Sequence, residues 1–475
     1  MPRSSFGSTT PATGQTSTAP VTIINPSAPL LIAQQFLDDL YGDPRHPRLV
    51  HHRDVFLEWS NTWSEIREGV IRARIYEHLA ACFRLDGQSQ LVPVNPNIRL
   101  VGEVLAALKV VALIDDNIEP PAWLGGTSQP TPDDIIVFRN GLLHLPSQRL
   151  ISPTPQFLAL NALNIDWYAN APAPRRWLSF LRQLWPDDPE SIDTLQMIFG
   201  YCLVRATELQ KAFMVVGPIR SGKGTIGRVL TALVGRENIA SPTLSTLGRP
   251  FGRQSLINKR LALIGDAKLG RDTDPVAVAE HILGITGEDQ VTIERKNKTD
   301  WIGTLSLKIV VLCTEIPSMT DESAGIAHRF IILRLTKSFL GQEDLNLSDN
   351  LLLELPGIVR WAVRGWAKLF GPNGSGKISQ PASAQAHVSE MKDAAASMKL
   401  YLDERCTFDP DYHVAKQVLY KDHCSWREAQ GLKSLTQPVF GRKLRTAFPK
   451  LDYYYPNNGS STRPPKEYRG LRLRQ

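Results

Sequence analysis

The chain has 475 residues, of which 42% are hydrophobic and 21% charged, with a net charge of +7. That length exceeds what one hydrophobic core ordinarily organises, and the composition is that of a globular protein, which sets aside a fibrous or wholly disordered chain. Its longest apolar runs, such as Lys308 to Cys313, are strand length and too short to cross a bilayer, so no membrane partner is expected.

Residues 1–28 are rich in Ser, Thr, Pro, Gly and Ala and lack the charged-then-apolar order of a signal peptide, so they read as a disordered tail. Five cysteines are scattered without a C-x-x-C pair, which argues against a disulfide framework or zinc cluster and fits the cytoplasm or nucleoid of a host cell. Residues 29–190 carry amphipathic stretches such as Leu30 to Leu40, then a strand-like Asp134 to Phe138 and an Asn140-Gly141 turn, and are expected to form a mixed, mostly helical domain. From 191 to 370 the texture becomes α/β. Short apolar runs (Ala212 to Val216, Leu261 to Ile264, Ile309 to Cys313, Phe330 to Leu333) alternate with helical or looped stretches. Residues 371–385, rich in Gly, Ser, Pro and Ala, read as a linker to a last module at 386–475. The basicity sits in that module. Ser434 to Gln475 holds nine Lys or Arg against two acids, which equals the excess of the whole chain and is the footprint expected of a phosphate-backbone binder.

The segment Gly217-Pro218-Ile219-Arg220-Ser221-Gly222-Lys223-Gly224-Thr225 follows the run Phe213 to Val216 and precedes Ile226, Val229, Leu230 and Leu233 at helical spacing. That is the strand, loop and helix context of a phosphate-binding loop, in which glycines let backbone N–H groups close around phosphates and Lys223 reaches the β and γ positions. ATP and Mg2+ are the cofactors this implies. Gly224 stands where the strict pattern has Ser or Thr, so Thr225 is the candidate hydroxyl for magnesium. Asp266, at the end of the run Leu261 to Ile264, is the candidate carboxylate that holds magnesium or orients water. A second match to the spacing, Gly371 to Lys377, follows a helical pattern instead of a strand and reads as a decoy within the linker. Nucleotide kinases also spell Gly-Lys-Gly-Thr, but they place the loop near the start of one compact domain.

In this order the motifs resemble the superfamily 3 helicases of the phage and plasmid primase-helicase type, related to the poxvirus primase-helicase, from about residue 30 to the C-terminus. The likeness rests on Asp193 to Gln196, Phe199-Gly-Tyr201 and Phe138-Arg-Asn-Gly141 before the loop, and on Ile285 to Asp289 and Leu355 to Gly365 after it. It implies a multidomain α/β protein: a P-loop NTPase, AAA+-like core, a mostly helical N-terminal domain and a C-terminal winged-helix domain from about residue 386. It also implies a homo-hexameric ring that hydrolyses ATP and tracks along single-stranded DNA, with a separate primase as a further partner. Carried over by position, Arg295, Lys296 and Lys298 fall in a DNA-holding hairpin, Thr314 stands where the sensor Asn is expected, and Arg329 matches the arginine finger offered to a neighbouring subunit. In the last module Ser434 to Phe448 reads as a helix with Phe440, Leu444 and Phe448 on one face and Arg442, Lys443 and Arg445 turned elsewhere, toward duplex DNA. The competing expectation, prompted by Gly224 and Thr314, is an origin-recognition or assembly protein that binds ATP with little hydrolysis. Primer synthesis is not expected, because the region ahead of the helicase motifs is too short for a primase domain.

Overall fold

The computed structural model describes residues 22–42, 46–125, 129–265, 267, 273–296, 298–317, 325–429, 434–448, 451–454 and 467–474. Its contacts separate two units, Met1–Ser128 with Thr154–Leu160, and Gln129–Pro153 with Asn161–Gln475.

The first unit comprises α1 (Pro29–Tyr41), a meander of β1 (Leu49–His52), β2 (Val55–Trp59) and β3 (Trp63–Ile66), then α2 (Glu68–Ala80), β4 (Phe83–Leu85), β5 (Leu91–Pro93), α3 (Ile98–Val111) and β6 (Ala122–Trp123). Asn97 caps α3, its side-chain oxygen accepting from Leu100 N at 2.9 Å. Phe36, Ile75, Val101 and Leu108 meet in the core between the helices. After β7 (Ile135–Phe138), β8 (Gly141–His144) and β9 (Arg149–Ile151), which belong to the second unit, β10 (Phe157–Leu158) pairs with β6. The segment expected to be mixed and mostly helical also holds short strands that the sequence pattern does not single out. Strands of two to five residues, such as β6 and β2, are too short to display the alternation that identifies a strand in sequence.

The second unit continues with α4 (Arg175–Leu184), α5 (Pro189–Cys202), β11 (Ala212–Val216), α6 (Lys223–Val234), β12 (Ile239–Ala240), α7 (Leu244–Leu247), β13 (Leu261–Gly265) and α8 (Pro275–Thr286). A hairpin of β14 (Gln290–Arg295) and β15 (Lys298–Thr304) follows, then β16 (Lys308–Cys313), α9 (Gly325–Arg329), β17 (Phe330–Arg334), α10 (Leu347–Leu352) and α11 (Leu355–Phe370). Five of these strands form one parallel sheet in the order β12-β13-β16-β11-β17. Both faces of that sheet are covered, as parallel sheets require. Along β11, Phe213 and Val215 enter one core with α5, α6 and α11, while Ala212, Met214 and Val216 enter a second core with α8 and the hairpin. The same alternation runs along β16 and β17.

Two features fix α5 beside the sheet. It crosses α11 at backbone contact: a Cβ on Gly200 would lie 2.2 Å from Trp366 N, and one on Gly365 1.9 Å from Gln196 O. Gln196 Nε2 also donates to Trp361 O at 2.9 Å. Just past the C-terminal end of α5, Lys308 donates to Val204 O and Arg260 to Leu203 O, so two buried cations satisfy the carbonyls and meet the negative end of the helix dipole. Burial pushes the Lys308 ammonium down to about 7 and the Arg260 guanidinium down to about 10.

The last part of the unit runs α12 (Gln385–Arg405), β18 (Cys406–Ala415), α13 (Lys416–Ala429), α14 (Gln437–Ala447), β19 (Asp452–Tyr454) and β20 (Glu467–Leu473), with a small antiparallel sheet in the order β18-β20-β19. Phe440 and Leu444 of α14 are buried with Tyr401, Leu419 and Trp426. His423 lies fully buried among them, its ring 4.8 Å from Tyr401 and 4.6 Å from Phe440. Neither ring nitrogen has a hydrogen-bond partner among the described residues. Burial, helped by Arg427 and Lys443 and opposed by Asp422, holds the His423 imidazole down at about 4.

Gly365→Ala is expected to destabilise the second unit by about 1–3 kcal/mol, because the added carbon meets backbone that cannot rotate away. Thermal or urea denaturation measures this, and an unchanged midpoint would contradict the close helix crossing. For His423 the unfolded chain binds a proton near pH 6.5 that the folded module refuses until about pH 4, so this stability is complete above pH 6.5 and is lost as pH falls through that window. At pH 5 the loss amounts to about 2 kcal/mol. Melting curves at pH 7 and pH 5 are expected to separate less for His423→Phe than for the wild type.

Candidate functional site

Strand β11 is the first of the parallel strands in the chain and lies between β16 and β17; the chain leaves it toward β12 at the far edge and leaves the adjacent β16 back across it toward β17, so the connections from these two neighbours run in opposite directions. In open α/β sheets ligands bind at the carboxyl ends of strands where the order reverses in this way. The segment Gly217 to Gly222 leaves β11 at that point. Gly217 N donates to Cys313 O at 3.2 Å, which ties the root of the loop to the end of β16. A side chain at 217 would strike Leu335, 2.6 Å from its Cβ and 2.8 Å from its carbonyl oxygen. The chain then turns through left-handed backbone at Arg220 (φ 59°) and Gly222 (φ 93°), and Gly222 becomes the residue before the first turn of α6. Phe180 and Leu184 pack so closely on Gly222 that a Cβ there would lie 3.1 and 3.0 Å from them.

Lys223 opens α6 and folds back over this loop. Its Nζ donates to Gly217 O and Pro218 O, both at 2.6 Å, and to Ser221 Oγ at 3.2 Å. The ammonium is thus held in the concavity of the loop at the positive end of α6, an arrangement suited to an anion with several oxygens. The segment after β17 braces the outside: Phe339 N donates to Arg220 O at 3.0 Å, Ser338 Oγ to Ile219 O at 2.8 Å, and Arg220 pairs with Glu343 at 3.3 Å. Nothing in the sequence pattern pointed to this brace.

Gly224 is exposed, and a Cβ there would have only Arg228 Nη1 nearby, at 3.7 Å, so the position has room for the hydroxyl residue it lacks. Thr225 is buried and its Oγ1 accepts from Arg228 Nη2 at 3.2 Å, while Arg228 Nε donates to Ser348 Oγ at 2.8 Å. Thr314 follows directly on β16, half-buried and next to the carbonyl that receives Gly217 N. Asp266 lies outside the described residues; Gly265 before it ends β13 in register with Leu312 of β16. The structure therefore gathers the Gly217 to Thr225 loop and Thr314 at one edge of the sheet. Arg329 is elsewhere. It ends α9 immediately before β17, at the amino edge of the same sheet, and its Nη1 donates to Gln210 Oε1 at 2.6 Å.

The hairpin β14–β15 is rooted by buried Ile293 and carries a register irregularity between Ile293 and Arg295. Arg295 is half-buried with its Nε donating to Thr299 O at 2.6 Å, and Lys296 is exposed. Lys298 pairs with Arg295 through the backbone, and its side chain lies outside the described residues. In the last module Arg442 and Arg445 are exposed on α14. Lys443 departs from the expected outward face. It is half-buried, with burial first and Arg427 second lowering its ammonium pKa, because a residue three positions after buried Phe440 shares that face of the helix. The Gly371 to Lys377 sequence is a turn that ends α11. Gly376 N donates to Leu369 O and Ser375 N to Lys368 O, each at 2.9 Å, with no strand leading in.

A family model described as a family of unknown function (DUF5906) matches residues 215–329, which run from within β11 to Arg329. Among solved structures, the A form apo structure of the NrS-1 C terminal region is similar at 12% identity and a TM-score of 0.46, covering 93% of this chain and 99% of that one. A further apo structure of the NrS-1 C terminal region is similar at 11% identity with a TM-score of 0.48, over the same shares of each chain. No helix among the described residues is long and apolar enough to cross a membrane.

Gly224→Ser is expected to fold as the wild type does and to gain about 0.5 kcal/mol from reduced freedom of the unfolded chain. A thermal midpoint lowered by several degrees would show that the space at 224 is not usable.

Proposed function

We propose that the chain is an ATP-dependent DNA helicase acting in replication, working as a ring of copies, in keeping with the hexamers of the helicases it resembles. In this reading the Gly217 to Thr225 segment is a P-loop, Lys223 neutralises the β and γ phosphates, Asp266 and Thr225 serve Mg2+, and Thr314 bonds the γ-phosphate or the attacking water. Arg295, Lys296 and Lys298 hold single-stranded DNA. The order of α12, β18, α13, α14, β19 and β20 supports reading the last module as a winged helix, whose Arg442 and Arg445 would meet duplex DNA, with Lys443 contributing less because it is turned inward. A separate primase remains a partner of the proposal.

The observation that carries the reading is the placement of Lys223 and Arg329 at opposite ends of two adjacent parallel strands. Ala212 is in register with Phe330 and Val216 with Arg334, so Arg329 stands next to the start of β11 and the loop grows from its end. Five strand residues separate the edges by about 16 Å. An arginine so placed cannot reach its own loop and suits the loop of a neighbouring copy, the arrangement of an inter-subunit motor.

The second reading, an ATP-binding assembly protein with little hydrolysis, draws on Gly224 and on the Thr225 hydroxyl being bonded to Arg228. Steady-state ATPase rates with and without single-stranded DNA decide between them. For the helicase, DNA raises the rate, Lys223→Ala loses nucleotide binding, and Arg329→Ala still binds ATP while kcat falls by about three orders of magnitude. Wild-type protein that binds ATP and DNA without turnover would favour the assembly protein instead.

A further inference from the structure

The segment leading into β11 holds two remote parts of the second unit. On one side Gln210 Oε1 accepts from Arg329 Nη1 at 2.6 Å, the Gln210 carbonyl accepts from the same nitrogen at 3.4 Å, and Lys211 Nζ donates to His328 O at 2.6 Å. On the other side Thr207 Oγ1 donates to Glu288 Oε1, and Gln210 Nε2 faces Gly287 O at 3.5 Å. Gly287 and Glu288 are the link from α8 into β14, the root of the hairpin that carries Arg295 and Lys296. One glutamine amide thus offers its oxygen to the arginine and its nitrogen to the hairpin root.

The backbone at both contacts is strained. Gln210 has φ 50° and Glu288 φ 64°, values that residues with side chains rarely adopt, and Gln210 N donates to Thr207 O at 2.8 Å to close its turn. Such strain persists only where surrounding contacts over-determine the conformation, and it concentrates where geometry matters to function. A long arginine side chain without an acceptor samples many rotamers, and a misplacement of about 1 Å in a catalytic group can cost about a hundredfold in rate.

We propose that Gln210 is a positioning residue that holds Arg329 in the orientation presented to the nucleotide site of a neighbouring copy, and that the Thr207 to Lys211 turn passes the state of the hairpin to that arginine. This rests on the reading of the chain as a DNA-stimulated ATPase. DNA bound by one copy's hairpin then acts on hydrolysis in the next copy's site. The coupling runs through two side chains, with the Thr207 hydroxyl registering the hairpin root and the Gln210 amide registering the arginine.

The test is ATPase kinetics of the full chain with and without oligo-dT. Gln210→Ala is expected to lower kcat about tenfold or more with KM for ATP changed by less than about twofold, since an arginine finger acts on the charge of the transition state and not on bound ATP. Gln210→Glu keeps an oxygen acceptor for the guanidinium and restores most of kcat. Thr207→Val reduces the DNA stimulation ratio more than it reduces the unstimulated rate. An equimolar mixture of Gln210→Ala with Lys223→Ala exceeds the summed activities of the two alone, because Lys223→Ala copies bring a well-held Arg329 to intact loops. The proposal is overturned by wild-type kcat and stimulation in Gln210→Ala. It is equally overturned by a raised KM and lowered melting temperature in that variant that Gln210→Glu does not repair. Absence of hydrolysis in the wild type overturns the ATPase reading itself, whereas a stimulated wild type with unaffected variants overturns only the role of Gln210.

Discussion

Strand β11 has a neighbour on each edge and a hydrophobic core on each face, and the arrangement of the second unit follows from that confinement. Hydrogen bonds to β16 and β17 fix its direction, and its five side chains are divided between two cores by the pleat alone. A strand held on four sides cannot shift register without exposing one set of side chains and clashing the other. Whatever leaves its two ends is therefore presented with little freedom. At the carboxyl end this is the loop that turns at Gly222 and folds Lys223 over its own carbonyls; at the amino end it is the Gln210 turn that receives Arg329.

The packing around this strand relies on backbone as much as on side chains. The α5–α11 crossing brings Gly200 and Gly365 against main-chain atoms, a separation no larger residue permits. Such proximity leaves the C-terminal end of α5 enclosed, where free carbonyls would be costly. Lys308 and Arg260 resolve that problem from the starts of β16 and from just before β13, with their own charges depressed by the burial they accept. The cations are structural here. Their position at the amino edge of the sheet, away from the Lys223 loop, keeps them from competing with it.

The carboxyl edge has unused capacity. Room for a hydroxyl exists at Gly224, yet the hydroxyl that follows it in the chain, that of Thr225, is hydrogen-bonded to Arg228 and through it linked to Ser348 of α10. Arg228 thereby ties the first turn of α6 to α10.

The sequence by itself determined the elements whose periodicity is long or whose chemistry is local. The apolar runs of β11, β13, β16 and β17, the turn at Gly222, the helix beginning at Lys223 and the stop of α11 at Gly371 all follow from residue type and spacing over a few positions. Tertiary structure alone decided the rest. Short strands such as β1, β2 and β6 escaped the sequence pattern because two to five residues cannot display a period, and Lys443 turned inward because its helical face is set by what Phe440 packs against. The separation of Lys223 from Arg329, the brace of Phe339 and Glu343 on the loop, and the pairing of Gln210 with Arg329 each join residues from different crossovers. Such contacts depend on the order of strands in the sheet, which is a property of the packed chain and is written in no local pattern.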